Sequence, residues 1–320
     1  MKKTQRSENP YKNSDSNKRY FTYDYYLRNT FGRKLAKIPF DMGLTCPNID
    51  GKCGVGGCIY CSSRGSGDFA ESAEFSLREQ YESLKKKLSS KWDTEHCIAY
   101  FQAHTNTYAP IEFLKKNFEE VLTFEGVEAM NIATRADCVD EEICEYLGDL
   151  ATRTNLTVEL GLQSSCDATA EFINRGHSFE EFCEGYNRLR RLAPKANICV
   201  HIILGLPKED EKTMMQTVRD VARLKPDQVK IHLLHVIKNT KMAEIYLSGE
   251  YTPLAKEEYV RLAVDTLELL PYDTVIARIT GDGLSEDLLA PEWSRKKVSV
   301  INDIDKLLYE RGSWQGKKYE

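Results

Sequence analysis

The sequence contains no run of about 18 consecutive apolar residues, the length that a membrane-spanning helix requires. Its N-terminus, MKKTQRSENPYKNSDSNKRY, carries basic residues but no apolar stretch behind them, so a secretory signal is not supported. Low-complexity linkers and internal repeats are also missing. We therefore expect a folded cytoplasmic protein that does not contact a membrane.

Cysteine is sparse outside one short segment. Six of the ten cysteines stand alone, namely Cys97, Cys138, Cys144, Cys166, Cys183 and Cys199. In a reducing compartment this scatter argues against a disulfide framework. The other four lie in CPNIDGKCGVGGCIYC, residues 46–61, and are candidate metal ligands. Because no second cysteine cluster is evident, an auxiliary iron–sulfur cluster is not expected.

The net charge of −5 is unevenly distributed. Residues 1–40 carry ten Lys or Arg against three acidic residues, and residues 293–320 carry seven against four. Two basic ends are typical of a surface that binds nucleic-acid phosphates. A solvated tail and an ordinary basic last helix give the same pattern, so charge alone leaves both interpretations open.

Short β-branched or aromatic segments alternate with helical patterns from about residue 35, which is typical of βα units around a parallel sheet. Six strands are predicted, at Lys37–Phe40, Cys97–Gln102, Ala129–Thr134, Thr157–Gln163, Ile198–Ile203 and Gln228–Leu234. The helices predicted between them span residues 76–92, 111–122, 140–151, 178–193 and 211–224. Six units are fewer than the eight of a closed barrel. The predicted fold is therefore α/β, a partial (β/α)6 barrel that is open on one side.

The pattern changes after the sixth strand. A helix at residues 257–270, a strand at 275–280 and a last helix at 299–312 follow, which we interpret as an α/β extension packed on the barrel. The predicted organisation is a mobile polar tail at 1–20, the barrel at 21–240 and the C-terminal extension at 241–320.

Three of the clustered cysteines have a spacing that suits an iron–sulfur cluster. Cys58 and Cys61 form a C-x-x-C pair, and Cys46 precedes them in a glycine-rich loop after the first strand, where active sites of such barrels lie. A cubane cluster normally takes four cysteines, so three would leave one iron open. A closed zinc site of all four cysteines is the alternative, although the separation of Cys46 from Cys53 is too long for a zinc knuckle. The spacing favours the iron–sulfur cluster and leaves both alternatives open.

The cysteine trio, the aromatic Tyr60 before the last cysteine and the six βα units together resemble the radical S-adenosylmethionine (radical SAM) superfamily. IATRADC (132–138), VELGLQS (158–164) and INRGH (173–177) are similar to motifs of its elongator catalytic-subunit branch. FQAHTNTYAP (101–110), HIILGLP (201–207), VKIHLLHVIKNTKMAEIY (229–246) and WQGKKY (314–319) resemble the smaller YhcC/YtqA family within that branch. The resemblance covers the chain nearly end to end.

The resemblance implies that Cys46, Cys58 and Cys61 ligate three irons of a 4Fe-4S cluster and that S-adenosylmethionine (SAM) binds the fourth. One electron then cleaves SAM to a 5′-deoxyadenosyl radical, which abstracts hydrogen from the substrate. The implied electron donor is a one-electron reductase such as flavodoxin or ferredoxin. Cys53 departs from the family pattern and is interpreted as a spare exposed thiol, with an alternative ligand as the second interpretation.

The resemblance also places polar residues of the strand ends near SAM. The candidate cofactor-binding residues are Tyr60, Gln102, Thr105, Asn106, Arg135, Asp137, Glu159, Gln163, Ser164 and His201. Tyr60 offers a flat face for adenine. Glu159 and Gln163 share one strand face and either bind the ribose or methionine moiety or form a structural network. Arg135 either pairs with Asp137 or reaches the methionine carboxylate.

The candidate catalytic residues are Lys230, His232 and His104. Lone histidines are more often satisfied core residues than catalysts. A buried lysine, in contrast, needs an anionic partner, which for Lys230 is the cofactor, the substrate or Asp137.

The resemblance suggests tRNA as the substrate, because the elongator branch acts on the side chain at C5 of the wobble uridine. The chain ends at Glu320, where that branch carries an acetyltransferase domain, so we expect remodelling of an existing side chain instead of acetyl transfer. The basic ends would bind phosphates. Two alternatives stay open: a radical SAM enzyme for a small molecule or protein, and a non-enzymatic iron–sulfur or zinc module that binds RNA.

Overall fold

Seven parallel strands form one curved sheet in the computed structural model, which describes residues 9–65, 67, 69–281 and 286–320. In spatial order they are β1 (Ala36–Phe40), β2 (Cys97–Phe101), β3 (Val127–Thr134), β4 (Asn155–Gln163), β5 (Asn197–Leu204), β6 (Gln228–Leu233) and β8 (Val275–Arg278). A separate antiparallel pair consists of β7 (Val236–Ile237) and β9 (Leu288–Ala290). Because β1 and β8 stand at opposite ends of the strand order, the sheet is an open, partial barrel, and the predicted α/β class is confirmed.

The helices connect the strands and lie against the sheet. They are α1 (Tyr23–Phe31), α2 (Leu77–Leu88), α3 (Ile111–Leu122), α4 (Glu141–Arg153), α5 (Asp167–Phe172), α6 (Phe179–Leu192), α7 (Glu211–Leu224), α8 (Lys241–Leu247), α9 (Lys256–Leu269) and α10 (Lys297–Glu310). Ser76 and Ser178 begin α2 and α6 with capping boxes, which fixes these helix starts close to the predicted ones. Within the described ranges, no helix combines the length and the apolar character needed to cross a membrane.

Alternation along the strands separates the core from the barrel interior. In β5, Ile198, Val200 and Ile202 are fully buried in the main hydrophobic cluster with residues of the covering helices. The alternate positions point to the other face of the sheet, where β4 and β6 place Glu159 and Lys230. The outer face of the sheet therefore supplies packing energy, and the inner face is left for polar groups.

Residues 9–20 differ from the mobile tail that their polar composition suggested, while residues 1–8 lie outside the described part. Tyr11 is buried, and its hydroxyl donates to the carbonyl oxygen of Tyr272 at 2.7 Å. Arg19 is also buried and donates to the carbonyl of Ser313 at 3.3 Å. Buried aromatic and arginine side chains thus fix this segment against the C-terminal part of the chain.

The strand at residues 275–278 also differs from the expected organisation. It was assigned to a separate extension, but β8 pairs in parallel with β6, so that Gln228 lies opposite Val275 and Lys230 opposite Arg278. The bridge between Thr22 and Ile276 then joins the N-terminal segment to the far side of β8. The C-terminal region therefore completes the sheet in addition to packing on it.

Gly185 of α6 allows a close approach to the short 3-10 helix at Ala136–Cys138. A Cβ atom at this glycine would lie 2.0 Å from the carbonyl oxygen of Ala136. We predict that Gly185→Ala lowers the free energy of unfolding by about 1–3 kcal/mol, because overpacking outweighs the better helix propensity of alanine. Urea denaturation measures this change. Asn187→Ala, at an exposed position of the same helix, is the matched control and should not destabilise; equal stability of the two variants would contradict the assigned contact.

Candidate active site

A cavity of about 830 Å³ opens at the carboxyl ends of the parallel strands. The loop after β1 contributes Cys46, Cys58 and Cys61 to its wall, and the loop after β2 contributes His104 and Thr105. Its volume falls in the usual range for ligand pockets, roughly 300–1,000 Å³. The sheet therefore brings the three sequence-predicted thiols to one cavity at the end of the barrel where active sites lie.

Two asparagines hold the cysteine loop in place. The Asn48 amide is buried and donates to Cys58 Sγ at 3.3 Å and to the carbonyl of Asn174 at 2.9 Å. In return the Asn174 amide donates to the carbonyls of Val55 and Gly57, at 2.9 and 2.7 Å. These contacts connect the loop to the INRGH segment, and sequence reasoning did not single out either asparagine.

The environment of Cys58 favours its thiolate. Hydrogen bonding from Cys61 is the largest effect, and together with the charge of Arg175 it overcomes burial and holds the pKa of Cys58 well below its ordinary value. Arg175 Nη1 lies 3.9 Å from Cys58 Sγ. On the opposite wall, Cys46 Sγ lies 3.0 Å from Thr105 Oγ1 and 3.9 Å from His104 Nδ1. The loop thus surrounds its sulfurs with hydrogen-bonding groups, as metal thiolates require.

Cys53 is separated from the other three cysteines. It is exposed, does not line the cavity, and its sulfur lies 3.6 Å from Arg135 Nη2. Within the described residues, no three His, Cys, Asp or Glu side chains are grouped so that they could hold a single metal ion. This geometry argues against a closed zinc site of four thiolates. Three thiols around an open cavity instead fit a cluster that keeps one iron accessible.

Glu159 of β4 is the most buried charged group beside the cavity. Its Oε2 accepts hydrogen bonds from Tyr100 at 2.8 Å and from Lys230, and lies 3.1 Å from His201 Nε2. Its Oε1 accepts from Asn131 at 2.8 Å. Burial alone would raise the pKa of this carboxyl, but the charges of Lys230 and Lys37 bring the pKa well below its ordinary value. The acceptor sites are occupied from within, so the structural-network alternative describes Glu159 better than a ribose contact.

Arg135 and Asp137 form an internal ion pair. Arg135 Nε and Nη2 donate to the two carboxylate oxygens of Asp137 at 2.9 and 2.7 Å, and Nη1 donates to the carbonyl of Arg175 at 2.7 Å. The guanidinium is 2% exposed. Most donors of this guanidinium are thus used within the protein, so the ion-pair alternative describes Arg135 better than a contact with the methionine carboxylate, although its side chain lines the cavity.

The other candidates divide into those that reach a cavity and those that do not. Tyr60, Gln102, Gln163 and His201 line the large cavity, whereas Lys230 and His232 line a smaller one beside it. Asn106, Asp137 and Ser164 line neither cavity, so the structure does not bring them to the site where the prediction placed them. The Asn106 amide donates to the carbonyls of Ala103 and Ala133, and Ser164 donates to Glu209.

A local irregularity explains the position of Ser164. The pairing of β4 with β5 shifts register between Gly161 and Gln163, and Gln163 has a left-handed φ of 76°. The side chain of Ser164 therefore turns away from the cavity.

Arg175 lines the large cavity, but the sequence did not predict it as a site residue. Only its motif, INRGH, was recognised.

Replacing Glu159 tests its role as the carboxylate that compensates the charges of both Lys230 and Lys37. We predict that Glu159→Gln lowers the free energy of unfolding by about 3–5 kcal/mol, because Lys230 is then buried without its carboxylate and the half-buried Lys37 loses the same partner. Urea denaturation at pH 7 measures the loss. Adding Lys230→Met should recover part of it, and Glu184→Gln, at an exposed position of α6, is the matched control. A loss no larger than that of the control would disprove the assigned role.

Comparisons with known proteins agree with this arrangement. A model described as the radical SAM superfamily matches residues 51–221, and one described as the radical SAM C-terminal domain matches residues 226–310. The protein YtqA of Bacillus subtilis is 45% identical over 312 residues, which is 98% of this chain and 96% of that protein. A tRNA uridine(34) acetyltransferase of Methanocaldococcus jannaschii is 32% identical over 158 residues, 48% of this chain and 28% of the other.

The fold has a counterpart among solved structures. The archaeal Elp3 of Methanocaldococcus infernus with an N-terminal deletion superimposes with a TM-score of 0.64 at 18% identity, covering 88% of this chain and 64% of that one. Radical SAM proteins are enzymes that use a 4Fe-4S cluster and SAM. Because the superfamily model spans more than half of the sequence and YtqA matches it nearly end to end, the chain belongs to the radical SAM superfamily.

Proposed function

We propose that this radical SAM enzyme remodels the side chain at C5 of the wobble uridine in tRNA. The observation that carries the proposal is the similarity to a tRNA uridine(34) acetyltransferase, which covers 48% of the chain. The reaction is the conversion of a carboxymethylaminomethyl group towards the aminomethyl form, in the cytoplasm and with a flavodoxin or ferredoxin as electron donor.

The reaction would remove the carboxymethyl group from the amine nitrogen: its methylene carbon would lose a hydrogen atom and an electron, with SAM as the oxidant that ends as methionine and 5′-deoxyadenosine. Water would then hydrolyse the resulting imine, which breaks the C–N bond and gives the aminomethyl uridine and glyoxylate.

Cys46, Cys58 and Cys61 hold the 4Fe-4S cluster in this proposal, and SAM occupies the large cavity beside it. When bound, the cluster and SAM supply a 5′-deoxyadenosyl radical that abstracts hydrogen from the substrate. The chain itself stabilises the thiolates: Asn48 donates to Cys58 Sγ, and Arg175 places its charge near the same sulfur.

The remaining wall residues orient SAM. The ring of Tyr60 provides a flat surface for adenine, and Gln102 and Gln163 provide amide donors and acceptors for the methionine portion. Thr105 keeps its hydroxyl at Cys46 Sγ. Enclosure by the loop and the strand ends limits the access of water to the reactive site.

The two basic ends of the chain support the choice of a nucleic acid. Lys18 pairs with Asp305 of α10, and the backbone N–H of Gln315 donates to the carbonyl of Arg19 at 2.9 Å. These contacts bring the described N-terminal segment next to the C-terminal segment, and the exposed Lys12, Lys317 and Lys318 lie on these two segments. Phosphate groups of tRNA bind such lysines by displacing counterions.

The cysteine assignment predicts different effects at neighbouring positions. Separate Cys46→Ala, Cys58→Ala and Cys61→Ala substitutions should abolish cluster binding, and with it the reductive formation of 5′-deoxyadenosine from SAM. Cys53→Ala is the matched control and should keep both the iron content and the activity of the native chain. Iron analysis and chromatography of the reduced, anaerobically reconstituted proteins measure both properties. Loss of the cluster in Cys53→Ala, or its retention in any trio variant, would overturn the assignment.

The substrate assignment predicts a change in cellular tRNA. Cells that lack the gene should accumulate the carboxymethylaminomethyl form of the wobble uridine and lose the forms derived from aminomethyluridine. Mass spectrometry of nucleosides from purified tRNA detects this change, and a copy of the gene with Cys58→Ala is the control that must fail to restore the profile. An unchanged profile in the deletion strain would rule out the tRNA proposal and point to a small-molecule or protein substrate.

A further inference from the structure

A second cavity, of about 220 Å³, lies directly beside the large one. The two cavities share seven lining residues, which are Tyr60, Cys61, Ser62, Tyr100, Gln102, Gln163 and His201. The shared wall contains one of the candidate cluster ligands. A group bound in the smaller cavity is therefore held next to the cluster and SAM positions assigned above.

The smaller cavity is basic. Its basic side chains are those of His201, Lys230, His232, His235 and Arg278. Among the residues that the structure describes there, none is Asp or Glu. Lys230 and Arg278 lie opposite each other on the paired strands β6 and β8, so two cationic side chains come from adjacent backbone positions. A wall of this composition attracts an anion.

In the described structure, Lys230 and His232 each have a side-chain hydrogen-bonding site that no protein group fills. An ammonium group has three N–H donors, and the described contacts of Lys230 use two, to Glu159 and to Tyr100 Oη at 3.1 Å. His232 Nε2 is buried and has no hydrogen-bond partner in the described structure. A buried polar atom without a partner is costly, and a bound anion would satisfy it.

The charged side chains described around the smaller cavity are mostly cationic. Glu159 is in contact with two lysines, since Lys37 Nζ also lies 3.5 Å from its Oε1. Burial, reinforced by the charge of Lys230, lowers the pKa of His201 to about 4, and burial lowers the pKa of His232 well below its ordinary value. Both imidazoles are thus neutral at pH 7, and a bound anion would face the lysine and arginine charges.

Another part of the cavity wall is apolar. Its side chains are Phe69, Ile203, Leu233, Leu234 and Ile237. A fully hydrated inorganic ion gains little from such a surface. An organic anion, with a charged end and a carbon skeleton, matches both parts of the wall.

We propose that this basic cavity binds a carboxylate of the substrate, with Arg278, Lys230 and His232 as hydrogen-bond donors. The inference rests on the function proposed above and specifies it, because a carboxymethylaminomethyl uridine carries such a carboxylate and an aminomethyl uridine does not. The cavity then recognises the group that distinguishes substrate from product. Binding of the substrate carboxylate fixes the uridine side chain at the wall shared with the SAM cavity.

The test compares two synthetic anticodon stem-loops that differ only in the wobble side chain, carboxymethylaminomethyl in one and aminomethyl in the other. Their affinities are measured by calorimetry with the reconstituted, unreduced holoenzyme in the presence of SAM. The native chain should bind the carboxylate-bearing RNA about tenfold more tightly, the usual effect of a charge-assisted hydrogen bond. Arg278→Gln and His232→Phe should each reduce this preference to about twofold or less, while the affinity for the aminomethyl RNA stays unchanged.

Arg223→Gln, at an exposed site on α7, is the matched control and should keep the native preference. The affinity for SAM is measured in parallel, because the methionine carboxylate is the competing source of the same chemical group. If the two cavity variants lose affinity for SAM and keep the RNA preference, the cavity belongs to the cofactor and the inference is overturned. Equal binding of both RNAs by the native chain overturns it as well, and leaves the tRNA function intact.

Failure of the native chain to bind either RNA would instead count against the proposed tRNA function. N-methylglycine has the same carboxymethylamino end as the proposed substrate side chain and then serves as a small probe of the cavity. Its binding is measured by changes in the NMR signals of the histidine rings. Saturable binding that Arg278→Gln abolishes would support the carboxylate site. Absence of binding, or equal binding by Arg278→Gln, would overturn it.

Discussion

One buried carboxylate joins six strands of the curved sheet. Glu159 of β4 makes polar or ionic contacts with one side chain from each of five other strands, namely Lys37, Tyr100, Asn131, His201 and Lys230. In a flat sheet β1 would lie three strand spacings from β4, about 14 Å away. A lysine of β1 reaches Glu159 because the sheet curls around it. The curved shape of the sheet therefore lets the buried charge of Glu159 be compensated by a lysine of a distant strand.

The same curvature determines where chemistry is possible. Outward positions of the strands, such as Val200 and Ile231, are filled by packing against helices. The inward positions converge, and their polar groups satisfy one another near the middle of the barrel. Only at the carboxyl ends, where the loops diverge, is there room for a ligand, and the cysteine loop closes that end. The middle of the barrel interior therefore holds the structural polar network, and its carboxyl end holds the ligand cavity.

The sequence predicted those features that depend on local patterns. Strand alternation placed Glu159 inside the barrel, and cysteine spacing placed three thiols together at its mouth. Ser164 was expected at the cavity but does not line it, because the register shift before Gln163 depends on the neighbouring strand and has no local signal. Arg278 was missed because Lys230, its partner on β6, is 48 residues away in sequence, and no local signal reveals that pairing. Polar composition likewise concealed Tyr11, whose burial depends on distant contacts.

The wall common to the two cavities would give the proposed carboxylate site a further consequence. A carboxylate bound by Lys230, Arg278 and His232 would lie a fixed number of bonds from the carbon that reaches the larger cavity. A substrate with fewer or more bonds between its carboxylate and the reacting carbon would bring a different carbon, or none, to the SAM cavity. Regioselectivity in such an enzyme is then a matter of length between two anchors, and needs no side chain that recognises the reacting carbon itself.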